Sequence, residues 1–153
     1  MASGVAIVVS PHLIPYIRNV RLHSSRIMEL ILNTAGAPTH IFSNYAPHQG
    51  NTVDDLRQPF WDKLTQVLHT TPKTHMKILL GDFNVRLEVR MPGEDDIIGP
   101  HVFGRGVSAL TDPLHPWDPN RSGGANRPHI LEMCTEHNLL FANTRKIPNP
   151  EKW

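Results

Sequence analysis

An apolar run that stops at a polar tetrapeptide is the feature that most constrains how this chain can fold. Residues 76–80 predict a strand, and Gly81-Asp82-Phe83-Asn84 follows it directly. Gly81 permits a bend or a close approach of the backbone. Ligands of α/β sheets usually bind at the ends of strands. The tetrapeptide therefore predicts a functional site at one edge of a sheet.

The spacing of the two polar side chains suggests what this site could hold. On an extended backbone, Asp82 and Asn84 point to the same side, and Phe83 points the other way, into the core. A carboxylate beside an amide suits a hard cation such as Mg²⁺, or a general base next to a group that holds a phosphate oxygen. The alternative is an Asx turn that caps the strand. These two residues alone leave both interpretations open.

The first part of the chain predicts several more strands. A short apolar run at residues 5–9 predicts a buried strand that Pro11 ends, and residues 17–22 predict an edge strand. Residues 26–32 fit a strand or a helical turn. The strand is favoured because a Gly-Pro turn separates this run from a β-type run at residues 39–46, as in a hairpin.

Helical spacing appears twice. Apolar residues repeat at helical spacing over residues 51–68, and Pro59 favours a helix at about residues 59–70 with a looser turn ahead of it. A second helix is predicted at residues 130–137, followed by a strand at residues 139–142. Residues 85–127 are rich in proline and glycine and predict a long, functional loop. The order indicates an α/β fold in which helices cover a sheet.

Length, charge and cysteine content narrow the class of protein. The chain has 153 residues, which predicts one domain, and its 15 basic and 14 acidic residues give no basic stripe for nucleic acid. Cys134 is the single cysteine and is predicted to be a buried thiol without a disulfide partner. We expect no signal peptide at the N-terminus, and no apolar run is long enough to cross a membrane. We therefore expect an intracellular protein, nuclear or cytoplasmic.

A tyrosine ends the strand predicted at residues 39–46. The hydroxyl of Tyr45 can donate to a phosphate or to a leaving-group oxygen, although a core aromatic with a solvated tip is the alternative. The strand that ends at Tyr45 and the strand that ends at Asp82 are expected to lie side by side in one sheet.

Together these segments resemble a known family. The Tyr45-Ala46-Pro47 strand end, the helix and Gly81-Asp82-Phe83-Asn84 are similar to the endonuclease/exonuclease/phosphatase superfamily, and most of all to the endonuclease domain of non-LTR (LINE-type) retrotransposons. The run from Gly4 to Val9 resembles the Gly-rich strand of those domains, and Ile98-Gly99-Pro100-His101 resembles their glycine-rich loop. The segment that ends at Asn143-Thr144 resembles their helix-strand segment.

The resemblance implies a two-sheet α/β sandwich and metal-assisted hydrolysis of DNA phosphodiesters. Asp82 and Asn84 would be catalytic and would ligate Mg²⁺ (Mn²⁺ is an alternative), and Tyr45 would contact the scissile phosphate. Substrate contacts are predicted for Arg86, His48, Asn143 and Thr144. Arg105 and Arg121, in the predicted loop, could also contact a nucleic-acid backbone.

The chain also departs from the pattern of that family. The strand with the metal-binding Glu and the later Ser-Asp-His segment with the catalytic His are not found in this sequence, and residues 107–124 match nothing in the family. We therefore expect a partial domain, residues 1–153, truncated at both ends and impaired in catalysis. An inactive transposon-derived fragment or a binding module is the alternative. An enzyme acting on phospholipid headgroups or nucleotides is a smaller third possibility.

Overall fold

A computed structural model describes residues 4–33, 35–48, 54–102 and 126–145. The chain forms two compact units, Met1–Asn84 and Val85–Trp153. The described residues form a mixed α/β structure with one four-stranded sheet, which agrees with the predicted α/β class.

The sheet lies in the first unit and consists of strands in the order β1-β2-β3-β4. Their bounds are β1 Ile17–Ser24, β2 Ile27–Leu32, β3 Thr39–Tyr45 and β4 Met76–Asp82. The first three strands pair antiparallel, and β3 pairs parallel with β4. The predicted edge strand, the hairpin and the strand before the tetrapeptide are thus confirmed.

Burial within the sheet follows from the position of each strand. The central strand β2 is rich in Ile and Leu and is buried along nearly its whole length, whereas β1 at the edge is largely exposed. Direct partners across the sheet share a face, so Val20, Ile41 and Ile78 lie on one side through Leu30. Phe42 and His40 lie on the other side.

The helix α1, Asp54–Thr70, forms the core of the first unit. Its buried side chains recur at the spacing of one helical face, in Phe60, Trp61, Leu64, Val67 and Leu68. The helix begins five residues earlier than predicted, with Pro59 inside it. Pro59 has no amide hydrogen, so one hydrogen bond near the start of the helix is missing, and the buried apolar face that follows holds the helix in place.

The second unit depends on one helix and one buried arginine. The second predicted helix is confirmed as α2, Arg127–His137, which begins three residues earlier than predicted. Pro128 lies in its first turn, and Asn138 ends it in the left-handed conformation. Arg127 donates to both carboxylate oxygens of Glu94 at 2.8 and 2.6 Å. It also donates to the carbonyl oxygens of Leu87 and Val89 at 3.3 and 3.1 Å. These bonds order a segment that contains no helix or strand among residues 85–102.

Two predicted strands are wrong. Residues 5–9 form no strand among the described residues, and the side chain of Val8 is 97% exposed. Residues 139–142 also form no strand and lead into a 3-10 helix at Ala142–Thr144. In both cases the apolar content was right for a strand, but a strand also needs a paired neighbour, which these segments lack within the part of the chain that the structure describes.

Two sequence expectations about partners can be compared with the structure. Cys134 is buried and forms no disulfide. Burial raises the pKa of its thiol to about 11, so it stays protonated and unreactive near neutral pH. Among the described residues, no helix is both long and apolar enough to cross a membrane.

Candidate functional site

The two predicted site strands end side by side. In the parallel pair of β3 and β4, Tyr45 lies directly opposite Asp82. Neighbouring strands are separated by about 4.8 Å, so the two side chains start from adjacent backbone positions. The expected meeting of the tyrosine strand end and the Gly-Asp strand end in one sheet is therefore confirmed.

Gly81 makes this close pairing possible. Its φ of +123° is unfavourable for other residues, and a Cβ atom built on it would lie 1.9 Å from the carbonyl oxygen of Asn44. Any side chain at position 81 would thus push β3 and β4 apart just before Tyr45 and Asp82. The glycine is required by the backbone and not by the chemistry of the site.

The backbone turns sharply after Asp82. The carboxylate Oδ1 of Asp82 accepts a hydrogen bond from the amide of Asn84 at 2.8 Å, which is the Asx turn considered above as the alternative. Asn84 has a φ of +48° and lies in the left-handed region. The assumption of an extended backbone through residue 84 is therefore wrong, because the strand ends at Asp82.

Asn84 nevertheless stays at the strand ends. Its Nδ2 donates to the carbonyl oxygen of Ala46 at 2.7 Å, and the amide of Ala46 donates to the carbonyl oxygen of Asp82 at 2.9 Å. These two bonds tie the segment after β3 to the segment after β4. Tyr45, Asp82 and Asn84 are thus brought together, with the asparagine held by the backbone beside the tyrosine.

Phe83 packs toward the interior, as the alternation predicts. Its ring stacks on Trp61 of α1, with the ring centroids 6.3 Å apart and an angle of 21° between the planes. Trp61 is itself buried. The turn after β4 is therefore anchored to the helix by an aromatic pair, which fixes where Asp82 sits.

Arg26 is a site residue that the sequence did not reveal. Its guanidinium carbon lies 5.1 Å from the ring centroid of Tyr45, a cation–π distance, and its Nη1 donates to the Tyr45 carbonyl oxygen at 3.2 Å. The amide of Tyr45 in turn donates to the carbonyl oxygen of Arg26 at 3.0 Å. Arg26 lies in the turn between β1 and β2, far from the motif in sequence, so only its place in a tight hairpin turn could have suggested it.

The other predicted site residues differ in their exposure to solvent. His48 is exposed in the first unit, and Arg86 and Asn143 are exposed in the second. Thr144 is buried, where its hydroxyl donates to the Phe141 carbonyl oxygen and accepts from the amide of Gly99, both at 2.7 Å. Thr144 therefore stabilises the second unit. Arg105, Arg121 and residues 107–124 lie outside the described residues.

The site presents one carboxylate, one amide, one phenol and one guanidinium. Asp82 is exposed, and the Tyr45 side chain is 37% exposed, so a ligand in solution can reach both. Mg²⁺ usually keeps several waters and is held by one or two carboxylates together with phosphate oxygens of the substrate. Asp82 supplies one carboxylate and Asn84 one amide oxygen, so a Mg²⁺ ion bound there would be held weakly.

The likeness to known proteins was tested in three ways. A scan against protein-family models, a search of curated proteins and a search of solved structures each found no match.

Proposed function

We propose that this chain carries a DNA phosphodiesterase site at the ends of β3 and β4, of the endonuclease/exonuclease/phosphatase kind. The observation that supports it best is the direct pairing of Tyr45 with Asp82 across the two parallel strands. Two residues that are far apart in sequence meet at the edge of an α/β sheet where ligands bind. An unrelated Asx turn at the end of a strand would not require a tyrosine beside it.

Each side chain has a separate role in the proposed reaction. Asp82 orients the attacking water and removes its proton, and the side-chain amide of Asn84 holds the water or the phosphate. The hydroxyl of Tyr45 donates a hydrogen bond to the scissile phosphate, and Arg26 adds positive charge next to Tyr45. A Mg²⁺ ion held by Asp82 and Asn84 would supply charge stabilisation on the phosphate oxygens.

A binding module without cleavage is the second candidate. It is favoured by the single carboxylate at the two strand ends and by the stacked pair of Arg26 and Tyr45, which suits a nucleic-acid backbone without any reaction. Because one carboxylate holds a divalent ion weakly, we expect DNA cleavage by this 153-residue chain to be slow.

The proposal includes a fold of two packed sheets. It is supported by the sheet face opposite Phe42. Several apolar side chains of β1 and β4 on that face are exposed, namely Val20, Leu22, Met76, Ile78 and Leu80. An exposed apolar face of this kind is typical of a surface that packs against another layer.

The test is nicking of supercoiled plasmid DNA with Mg²⁺ and with EDTA. We expect slow nicking that needs the metal and falls about 100-fold or more in Asp82→Asn, since a general base contributes at least that factor. Asp62→Asn is the matched control, because Asp62 is an exposed aspartate of α1 whose Oδ1 accepts a hydrogen bond from Nε2 of Gln58 at 2.7 Å. It should leave nicking unchanged.

The two candidates give different results. DNA binding by the wild type that Arg26→Gln weakens, with no nicking even at high protein concentration, would select the binding module. Fast nicking that Asp82→Asn leaves intact would overturn both candidates, because the cleaving group would then lie elsewhere.

A further inference from the structure

A cavity lies in the first unit, near the other end of the β3–β4 pair. It has a volume of about 260 Å³ and is lined by residues of β1, β2, β3 and the segment after α1: Arg18, Asn19, Arg21, Ile31, His40, Thr70, Thr71, Pro72 and His75. His40 is opposite Lys77, and the Tyr45–Asp82 pair lies five residues further along β3. At about 3.3 Å per residue, the cavity is roughly 16 Å from the proposed phosphodiesterase site.

The charged side chains that line this cavity are basic, and the buried carboxylate of Glu29 contacts two of the lining residues, Arg21 and His40. Arg18 and Arg21 contribute two guanidinium groups, and the lining contains no Asp or Glu. Arg18 has no hydrogen bond or ion pair with the described residues, and Arg21 has only a 3.6 Å contact with Glu29. The Arg18 guanidinium group is therefore available to a ligand, and Arg21, with its side chain 53% exposed, keeps donors that the Glu29 contact does not use. The amide group of Asn19, whose Oδ1 is already used by the amide of Val20, adds a further donor.

A chain of hydrogen bonds holds the two histidines of the cavity. Nδ1 of His40 lies 2.5 Å from Oε1 of the buried Glu29, and Nε2 of His23 lies 2.9 Å from Oε2. Nε2 of His40 lies 2.9 Å from Nδ1 of His75. Three imidazoles thus connect to one carboxylate, and His75 is the member of the chain at the cavity that is not bonded to Glu29.

The direction of this chain follows from the charge on Glu29. Burial acts to raise the pKa of the carboxyl, but hydrogen bonds from His40 and His23 outweigh it and hold the pKa below its ordinary value of 4.5. The ionised carboxylate can only accept, so Nδ1 of His40 donates to it. Nδ1 of His75 lies against His40, so Nε2 is the ring nitrogen of His75 that can face a ligand.

His75 responds to the positive charge around it. Loss of hydration lowers its pKa below the ordinary 6.5, and the charges of His40, Arg18 and Lys77 lower it further. The groups that face it are Arg18 and Arg21 of β1, Glu29 of β2 through His40 of β3, and Lys77 of β4, whereas α1 contributes only the neutral Thr70. A bound anion would offset this repulsion and favour the protonated imidazole.

We propose that this cavity is a binding site for a phosphate dianion, held by Arg18, Arg21 and His75. The donors come from β1 and, separately, from the segment before β4, so they suit the several oxygens of a tetrahedral anion. Guanidinium groups match phosphate geometry well, and the buried Glu29–His40 pair orients the imidazole. Glu29 also pairs with Arg21 at 3.6 Å, so Arg18 is the arginine of the cavity that has no carboxylate partner among the described residues. The phosphate could be free or the terminal group of a nucleotide strand.

The first test is titration of the full 153-residue chain with inorganic phosphate, followed by NMR of the imidazole C–H groups. We expect saturable shifts of the His75 signal, and an affinity about tenfold weaker in Arg18→Gln and in Arg21→Gln, the loss of one charge-assisted hydrogen bond. Lys63→Gln is the control. It removes a positive charge of the same unit from α1, where Nζ of Lys63 donates to Gln66, and this variant should bind phosphate as the wild type does.

Sulfate is the ligand used to measure the pH dependence of binding. It keeps its two negative charges throughout the pH range of interest, so only the charge of the protein changes. Its affinity should rise as the pH falls through the pKa of His75, below about 6.5. His75→Gln should remove most of this rise. If that variant does not fold, the two exposed arginine variants still decide the matter.

The source of the phosphate is identified by competition. A 5′-phosphorylated oligonucleotide that displaces inorganic phosphate, when the 5′-hydroxyl strand does not, would indicate a terminal phosphate. Displacement by neither would indicate the free anion. The proposal fails if the wild type shows no saturable shift, or if the Arg18→Gln, Arg21→Gln double variant binds unchanged. Asp82→Asn should leave binding intact, so this result is independent of the phosphodiesterase proposal.

Discussion

The two ends of the β3–β4 pair show two ways of building a polar site on one sheet. At the Tyr45–Asp82 end, the side chains are exposed and the backbone does the positioning, through the close approach at Gly81 and the turn that Asn84 holds. At the His40 end, a buried carboxylate does the positioning through a chain of imidazoles. The first end should thus be sensitive to backbone geometry, and the second to pH.

The largest effect is expected from Gly81→Ala. The new methyl group would lie within 1.9 Å of the Asn44 carbonyl oxygen, at a φ of +123°. Overpacking and backbone strain together should lower the free energy of unfolding by about 2–5 kcal/mol. Urea unfolding followed by tryptophan fluorescence measures this. Gly36→Ala is the control, because nothing lies within 4 Å of its Cβ position, and a loss as large there would refute the steric explanation.

Glu29→Gln tests the electrostatic end of the sheet. The change leaves His40 and His23 without a carboxylate in a buried setting, so we expect the free energy of unfolding at pH 7 to fall by about 3 kcal/mol. Glu132→Gln, on the exposed side of α2, should change it little.

The pH dependence of the same variant has a definite sign. The folded-state pKa of Glu29 lies below its ordinary value of 4.5, so its carboxylate stabilises the fold above that pH. This contribution is lost as the pH falls through the folded-state pKa. The wild type should therefore lose more stability than Glu29→Gln between pH 5 and about pH 3. Parallel curves for the two proteins in urea unfolding would contradict the assignment.

The smallest effect is expected at Asn84, where two variants distinguish backbone strain from the loss of a hydrogen bond. Both Asn84→Ala and Asn84→Gly lose the hydrogen bond to the Ala46 carbonyl oxygen, but only alanine is strained at a φ of +48°. We expect the alanine variant to be less stable than the glycine variant by about 1 kcal/mol. Equal unfolding midpoints would mean that the turn after β4 relaxes out of the left-handed conformation.

The sheet was predictable because its signals are local. Residues 26–32 and 39–46 flank a Gly-Pro turn, and their pairing follows from that turn alone. The meeting of Tyr45 with Asp82 was also predictable, since two strands joined by a helix usually lie close together in one sheet. What failed were apolar runs without a paired neighbour, at residues 5–9 and 139–142.

The details of both sites depend on contacts that sequence spacing does not show. The left-handed Asn84 is fixed by the carbonyl group of Ala46, which is 38 residues away. The bond between His40 and Glu29 crosses two strands, and that between His40 and His75 spans 35 residues. The sequence contains ten histidines, and their spacing gives no way to select His40 and His75. His40 reaches Glu29 through the register of β2 and β3.

The position of β4 at the margin of the sheet has a practical consequence for handling the protein. Among the described residues, its outer side pairs with no other strand, and Met76, Ile78 and Leu80 expose apolar surface beside those unpaired backbone groups. A strand edge of this kind templates pairing with a second strand from another molecule. Soluble monomer should therefore decline as the concentration rises, which makes protein concentration a variable to hold constant whenever nicking or phosphate titration is compared between variants.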